Sequence, residues 1–243
     1  MKDRPKVIGV IPARLGSTRL PGKVLIKIAG KAMVHWVYEA ARQSPLLNEL
    51  FVATDSLEVQ QYCRSHEIPA IATREHPSGS DRVHEVMERT DGDIYVNIQG
   101  DEPTIRAEHI ALLLDPLLQG AGEVTTLKVA IDEAAAQDPS CVKVVTDFRG
   151  RALYFSRQPV PFYRDSSERR IFYKHIGLYA YTRAALSQFH RLPPGRLELA
   201  EKLEQLRFLE NGIAIVVLET AHDTIGVDTE ADLKQAVAFL TAK

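Results

Sequence analysis

Cysteine is scarce: Cys63 and Cys141 are the only two in 243 residues. Two cysteines make no disulfide framework, and no Cys/His spacing suggests zinc. Each falls in a segment of apolar periodicity, so the expectation is two buried thiols in a reducing cytoplasm. Long apolar runs are also missing, and none approaches the length of a membrane span. The opening MKDRPKVIGV carries charge but no leader-like apolar core followed by a small-residue cleavage site. A cytoplasmic chain with no membrane partner is expected. Charge of one sign is missing too, since the formal net charge is −2. The longest basic patch, Glu168-Arg169-Arg170, is short and mixed, so no nucleic-acid partner is expected.

What is present is ordinary for one globular domain: 45% hydrophobic and 26% charged residues. Strand and helix patterns alternate through the first half. Residues 6–12, 50–54, 68–72 and 93–99 read as strands, and 32–44, 56–66, 81–90 and 107–119 as helices. This βαβ rhythm predicts an α/β fold with a mainly parallel sheet covered on both faces. After about residue 120 the rhythm changes. Segments 123–131, 142–147, 151–157 and 172–182 read as strands, with a hairpin turn at Phe148-Arg149-Gly150-Arg151. They predict a mixed-sheet lobe beside the parallel core. A long helix is expected over 197–210, with Leu199, Leu203 and Leu206 on one stripe and Gly212 as its stop. Strand 213–218 and helix 229–241 follow.

Chemistry-bearing residues gather at the predicted strand ends, where open α/β sheets bind ligands. VIPARLGSTRLPGK (10–23) leaves the first strand with Arg14, Arg19 and Lys23, and with Gly16 and Gly22 exposing backbone N–H groups. Arginine forks and a lysine point charge suit phosphate. The loop matches neither GxGxxG nor GxxxxGK[ST], so a dehydrogenase and a P-loop hydrolase both lose support. A solvated basic turn has the same composition. NIQGDEP (97–103) places Asp101 just past a strand, where one carboxylate suits Mg²⁺; an acidic turn reads the same way. In GVDTEAD (226–232), Thr229 and Asp232 make a capping box. Asp228 is then a free carboxylate at the end of a strand-like run, or itself the cap. REHPSGSDR (74–82) offers Ser78, Gly79, Ser80 and Asp81 to a base or ribose, or else a helix cap through Ser80. In FYKHIGLYAYT (172–182), Tyr173, His175, Gly177, Tyr179 and Tyr181 share one face of a strand. That face suits a polyol, a half-exposed sheet surface or a subunit contact.

PARLGSTRLPGK, HPSGSDR, NIQGDEP, ALYFSR, YKHIGLYAY, LEQLR and GVDTEADL occur in the order seen in the 3-deoxy-manno-octulosonate cytidylyltransferases. The chain resembles these CMP-Kdo synthetases from about residue 7 to 240. The resemblance implies a single Rossmann-like nucleotidyltransferase domain over 1–243, with a dimerisation and sugar-binding lobe at about 150–212. It implies a Mg²⁺-dependent transfer of CMP from CTP to 3-deoxy-D-manno-octulosonate (Kdo) for lipopolysaccharide, by a cytoplasmic homodimer. Other acidic sugars are alternatives, the 8-amino analogue of Kdo above all. Residue by residue, it makes Arg14, Arg19 and Lys23 a triphosphate clamp, and Arg74, Ser78, Gly79 and Asp81 part of the cytidine site. Asp101 and Asp228 become metal ligands, and with Arg14 and Lys23 the catalytic set. Gln99 borders nucleotide and sugar, while Arg157, His175, Tyr179, Glu204 and Gln205 face the sugar. Two departures are Ser80, where many relatives carry threonine, and the variable PVPFYRDSSERR loop.

Overall fold

The computed structural model describes residues 4–16, 19–165 and 170–242. Ser17 and Thr18 of the basic loop, and Glu168 and Arg169 of the mixed patch, lie outside the described residues.

The first half alternates as its pattern requires. β1 (Val7–Pro12) is followed by a 3-10 turn at Lys23–Leu25, and then by a small hairpin of β2 (Lys27–Ile28) and β3 (Lys31–Ala32). Next come α1 (Met33–Ala41), β4 (Glu49–Thr54), α2 (Leu57–Ser65), β5 (Ala70–Ala72), α3 (Gly79–Glu88), β6 (Ile94–Asn97) and α4 (Ala107–Leu118). The second half runs β7 (Val124–Ile131), α5 (Glu133–Ala136), β8 (Lys143–Thr146), β9 (Ala152–Ser156) and β10 (Phe172–Thr182). It ends with α6 (Arg183–Arg191), α7 (Arg196–Glu201), α8 (Leu206–Glu210), β11 (Val216–Glu219) and α9 (Glu230–Thr241).

Among the described residues one large sheet carries the order β11-β7-β10-β6-β1-β4-β5. The neighbours of β1 are parallel, and β10 runs antiparallel to both β6 and β7. β1 shows why both faces must be covered. Val7 and Ile11 join the core under α1, α2 and α4, whereas Ile8 and Val10 join the core under α3, α6 and α8. An apolar run that feeds two layers leaves no face for water.

The expected lobe grows out of this same sheet. β8 pairs with β10 and β9, and β9 returns to β11 through a bridge between Arg151 and Val216. A ring of β11, β7, β10, β8 and β9 results. β10 serves both parts, and its register with β7 shifts between Ile176 and Tyr179. The single alternation predicted over 172–182 is therefore interrupted. Tyr179 and Tyr181 lie in the core, ring centroids 5.7 Å apart, instead of forming a half-exposed face.

The long helix expected over 197–210 is instead two short ones. Lys202 turns left-handed at φ 55° and ends α7. Tertiary bonds favour this break. Arg207 donates to Glu198 at 2.5 and 2.8 Å, and Glu210 accepts the N–H groups of Leu197 (3.0 Å) and Glu198 (3.3 Å). The two helices are thus folded back on each other. Leu203 and Leu206 become buried, while Leu199, expected on the same stripe, is 54% exposed. Glu204 and Gln205 fall in the connecting turn. Gly212, at φ 73°, follows α8 as expected. α6 is a helix the sequence reading did not assign; Thr182 caps it by accepting the Ala185 N–H. Cys63 is buried, which pushes its thiol up to about 11, but Cys141 is only half-buried. Among the described residues no helix is long and apolar enough to cross a membrane.

Candidate active site

β1 and β6 pair in parallel, with Val10 opposite Asn97, so their carboxyl ends open at the same edge. The two segments leaving that edge line a cavity of about 470 Å³. Arg14, Arg19, Lys23, Ser78, Gly79, Gln99, Asp101 and Asp228 all line it. Gly100 lets the two strand ends meet. A Cβ there would lie 2.6 Å from the Pro12 carbonyl oxygen, a contact only glycine avoids. Asp228 arrives differently from the expectation. No strand leads to it, since β11 stops at Glu219. The Val227 N–H instead donates to the Asp101 carbonyl at 2.9 Å, which sets the two aspartates side by side. Thr229, not Asp228, caps α9.

Lys23 is the hub of the charged cluster. Its Nζ donates to Asp101, to Asp228 at 2.8 Å and to the Val227 carbonyl at 3.0 Å. Arg19 donates to the other Asp228 oxygen at 2.8 Å. Burial would lower the lysine pKa, but the two carboxylates outweigh it and raise it. Burial would likewise raise the Asp228 pKa, and Lys23 and Arg19 hold it below the usual carboxylate range. Arg14 is exposed at the mouth. The ammonium is surrounded by accepting oxygens of carboxylates and a carbonyl, which are also hard ligand atoms. Among the described residues no group of three or more His, Cys, Asp or Glu is gathered for a metal. That donor set suits a hard cation such as Mg²⁺, which takes one or two carboxylates and completes its shell with phosphate and water. The lysine itself is a cation standing between the two carboxylates. Glu102, next in the chain, is buried, and burial with the Asp101 charge pushes it up to about 7.

The opposite wall is the 73–82 segment. Ser78, rather than Ser80, caps α3: its Oγ accepts the Asp81 N–H at 3.1 Å and donates to Asp81 Oδ2 at 2.7 Å. Asp81 itself does not line the cavity, and His190 lies 3.3 Å from it. Arg74 is mostly exposed, and its guanidinium does not line the cavity. The wall contains residues that sequence reasoning passed over. His76 and Arg82 line the cavity. His76 Nε2 lies 2.5 Å from Glu85 Oε2, and the same oxygen accepts the Arg74 N–H at 3.0 Å. Arg82 pairs with Asp55 at 3.0 Å. His76 and Arg82 lay inside a motif already singled out. Glu85 had no signal, since one carboxylate on a helix reads as surface.

Of the sugar-side candidates Gln99 lines this cavity, and Arg157, His175, Tyr179, Glu204 and Gln205 do not. Gln99 donates to the Gly177 carbonyl at 3.1 Å, linking the cavity to the bulge of β10. His175 Nε2 lies 3.0 Å from Thr126 Oγ1. Desolvation, with Lys174 adjacent, holds its imidazole well below the usual range. Tyr179 is buried, and desolvation raises its hydroxyl pKa well above normal. Glu204 accepts from Ser80 at 2.9 Å, and its pKa is raised chiefly by burial. Gln205 is 5% exposed. Arg157 is committed to protein carbonyls, with Nε on Glu201 (2.8 Å) and Nη1 on Pro139 (3.0 Å).

Comparison with known proteins places nearly the whole chain in a family. A family model described as cytidylyltransferase matches residues 8–215. The 3-deoxy-manno-octulosonate cytidylyltransferase of Acidobacterium capsulatum is 55% identical over 235 residues, covering 96% of each chain. That of Geobacter sulfurreducens is 47% identical, over 96% of this chain and 99% of the relative. A solved CMP:2-keto-3-deoxy-manno-octonic acid synthetase in complex with CTP superposes with a TM-score of 0.92 at 46% identity, covering 98% of this chain and 99% of that one. A glucose-1-phosphate thymidylyltransferase from Bacillus anthracis shares the fold at 16% identity, with a TM-score of 0.70.

Proposed function

This chain belongs to the cytidylyltransferase family, among the 3-deoxy-manno-octulosonate cytidylyltransferases, and on that premise we propose that it transfers CMP from CTP to the anomeric hydroxyl of Kdo. Pyrophosphate is the other product. The observation that carries the reading is the meeting of Arg14, Arg19 and Lys23 with Asp101 and Asp228 in one cavity. Cations alone would bind any anion, and carboxylates alone any metal. Both together fit a metal–triphosphate.

The reaction is an in-line displacement. The sugar hydroxyl forms a bond to the α-phosphorus, the bond to the β-phosphate oxygen breaks, and the hydroxyl proton leaves to solvent. Arg14, Arg19 and Lys23 stabilise charge on the departing pyrophosphate. Asp101 and Asp228 are the residues that would hold Mg²⁺. The metal when bound supplies charge neutralisation at the α-phosphate and lowers the pKa of the sugar hydroxyl. Ser78 and Gly79, with Arg74 and Asp81 around them, shape the cytidine end. Gln99 sits between nucleotide and sugar. Arg157, His175, Tyr179, Glu204 and Gln205 form the sugar side. The neutral imidazole of His175 and the buried Tyr179 hydroxyl suit uncharged hydroxyl groups of a polyol.

The enzyme is further inferred to be a homodimer, with its lobe at about 150–212 in the contact. The exposed Leu153 of β9 and the exposed Leu197 and Leu199 of α7 support that face. Two thiols outside any disulfide fit a cytoplasmic enzyme. Its product would feed lipopolysaccharide assembly.

Pyrophosphate release tests the reading. Purified protein with Mg²⁺ is given each of the four nucleotides, with and without Kdo, 8-amino-Kdo and sialic acid. Release that needs both CTP and Kdo is expected. Nucleotide binding without release under any combination would replace the enzyme with a binding module. Equal turnover of 8-amino-Kdo would widen the substrate class.

A further inference from the structure

Lys23 stands where a bridging cation would stand. Its side chain is nearly buried, and its Nζ contacts one oxygen each of Asp101, Asp228 and the Val227 backbone. The backbone beneath it is fixed. The Lys23 N–H donates to the Leu20 carbonyl, Gly22 at φ 67° opens the 3-10 turn, and the Leu25 N–H returns to the Gly22 carbonyl. What can move is the four-carbon stem, which carries a compact ammonium. A second ligand for that ammonium is at hand in the same cavity: any polyphosphate drawn in by the exposed Arg14 and Arg19.

We propose that the Lys23 ammonium and a divalent cation compete for the Asp101–Asp228 pair. The metal alone then binds weakly, and it is admitted when a triphosphate takes over the lysine. This rests on the reading of Asp101 and Asp228 as the metal carboxylates. Two positive charges cannot share those two carboxylates at contact distance without strong repulsion. Each departure of the lysine therefore favours the metal, and by linkage the metal favours the lysine–phosphate contact to the same degree. Lys23 is in this sense a device that sets binding order, in addition to being a phosphate ligand. It also keeps two neighbouring carboxylates compensated, which are otherwise costly to hold together.

The test is Mn²⁺ binding to nucleotide-free protein, read from loss of the free-ion electron paramagnetic resonance signal. Wild type, Lys23→Met, Lys23→Gln and Asp101→Asn are compared, each checked by circular dichroism. Either lysine variant is expected to bind Mn²⁺ at least about tenfold more tightly than wild type, within the usual size of coupling between linked sites. Asp101→Asn should bind none. Equal Mn²⁺ affinity in wild type and a folded lysine variant overturns the competition and leaves the metal reading intact. Failure of every folded lysine variant to bind Mn²⁺ overturns the metal reading along with the competition. Tight binding by wild type itself, lost in Asp101→Asn, overturns the competition without any lysine variant.

Discussion

Asp101 and Asp228 are adjacent in space because one backbone hydrogen bond, from Val227 to Asp101, holds their segments together. Removing one carboxylate charge leaves that bond intact. Asp101→Asn is therefore expected to cut turnover by roughly a hundredfold to a thousandfold, the usual cost of losing one group that stabilises transition-state charge. CTP affinity, which the proposed clamp of Arg14, Arg19 and Lys23 would carry, should fall far less; calorimetric binding beside a pyrophosphate-release assay separates the two. Glu85 makes a different argument. Its side chain is 2% exposed and is surrounded by His76, the Arg74 N–H and Arg89. Burial alone would raise its pKa, but these partners depress it from 4.5 to about 2. A depressed carboxylate contributes stability that is full above the unfolded value and disappears as pH falls through the folded one. About 2–3 kcal/mol is expected to be lost between roughly pH 4.5 and pH 2. Chemical denaturation across that range, with Glu85→Gln as the comparison lacking this slope, checks it. Asp101 could be read from sequence because it stands just past the end of an apolar strand. Glu85 could not, because its partners come from the 74–76 segment and the next helical turn.

At the level of elements, the parallel strands and the helices between them were legible, since periods of 2 and 3.6 are local properties of the chain. The α7–α8 hairpin was not. Its residues read as one helix, and the break at Lys202 is decided by Arg207 on Glu198 and by Glu210 at the start of α7. β10 likewise hides its bulge, because over Leu178–Tyr181 both of its faces are buried and apolar residues occur at either parity. The joint of β1 and β6 is tighter than any pattern reveals. Gly100→Ala puts a methyl 2.6 Å from the Pro12 carbonyl, and backbone cannot step aside as a side-chain tip can. The substitution is expected to cost about 1–3 kcal/mol of stability. It should also reduce CTP turnover by separating Asp101 from the basic loop. A melting curve and an activity assay on the same preparation test both, and unchanged values in both would show that the strand ends are not rigidly joined.

For the whole molecule, the exposed Leu153, Leu197 and Leu199 motivate the homodimer. Leu153→Glu combined with Leu199→Glu is expected to shift the sedimentation coefficient from dimer to monomer. A wild-type chain that sediments as a monomer at every concentration rejects the assembly. The sequence by itself determined the α/β class, the basic loop, the two aspartates and, through the order of its motifs, the family. Those are properties of local period and residue type, which survive without knowing what lies across the sheet. Only the tertiary structure decided that Asp228 reaches the site along irregular chain, that His76 and Arg82 wall it, and that Lys23 bridges both carboxylates. Each of these depends on contacts between residues far apart in the chain, and local sequence periodicity carries no information about such partners.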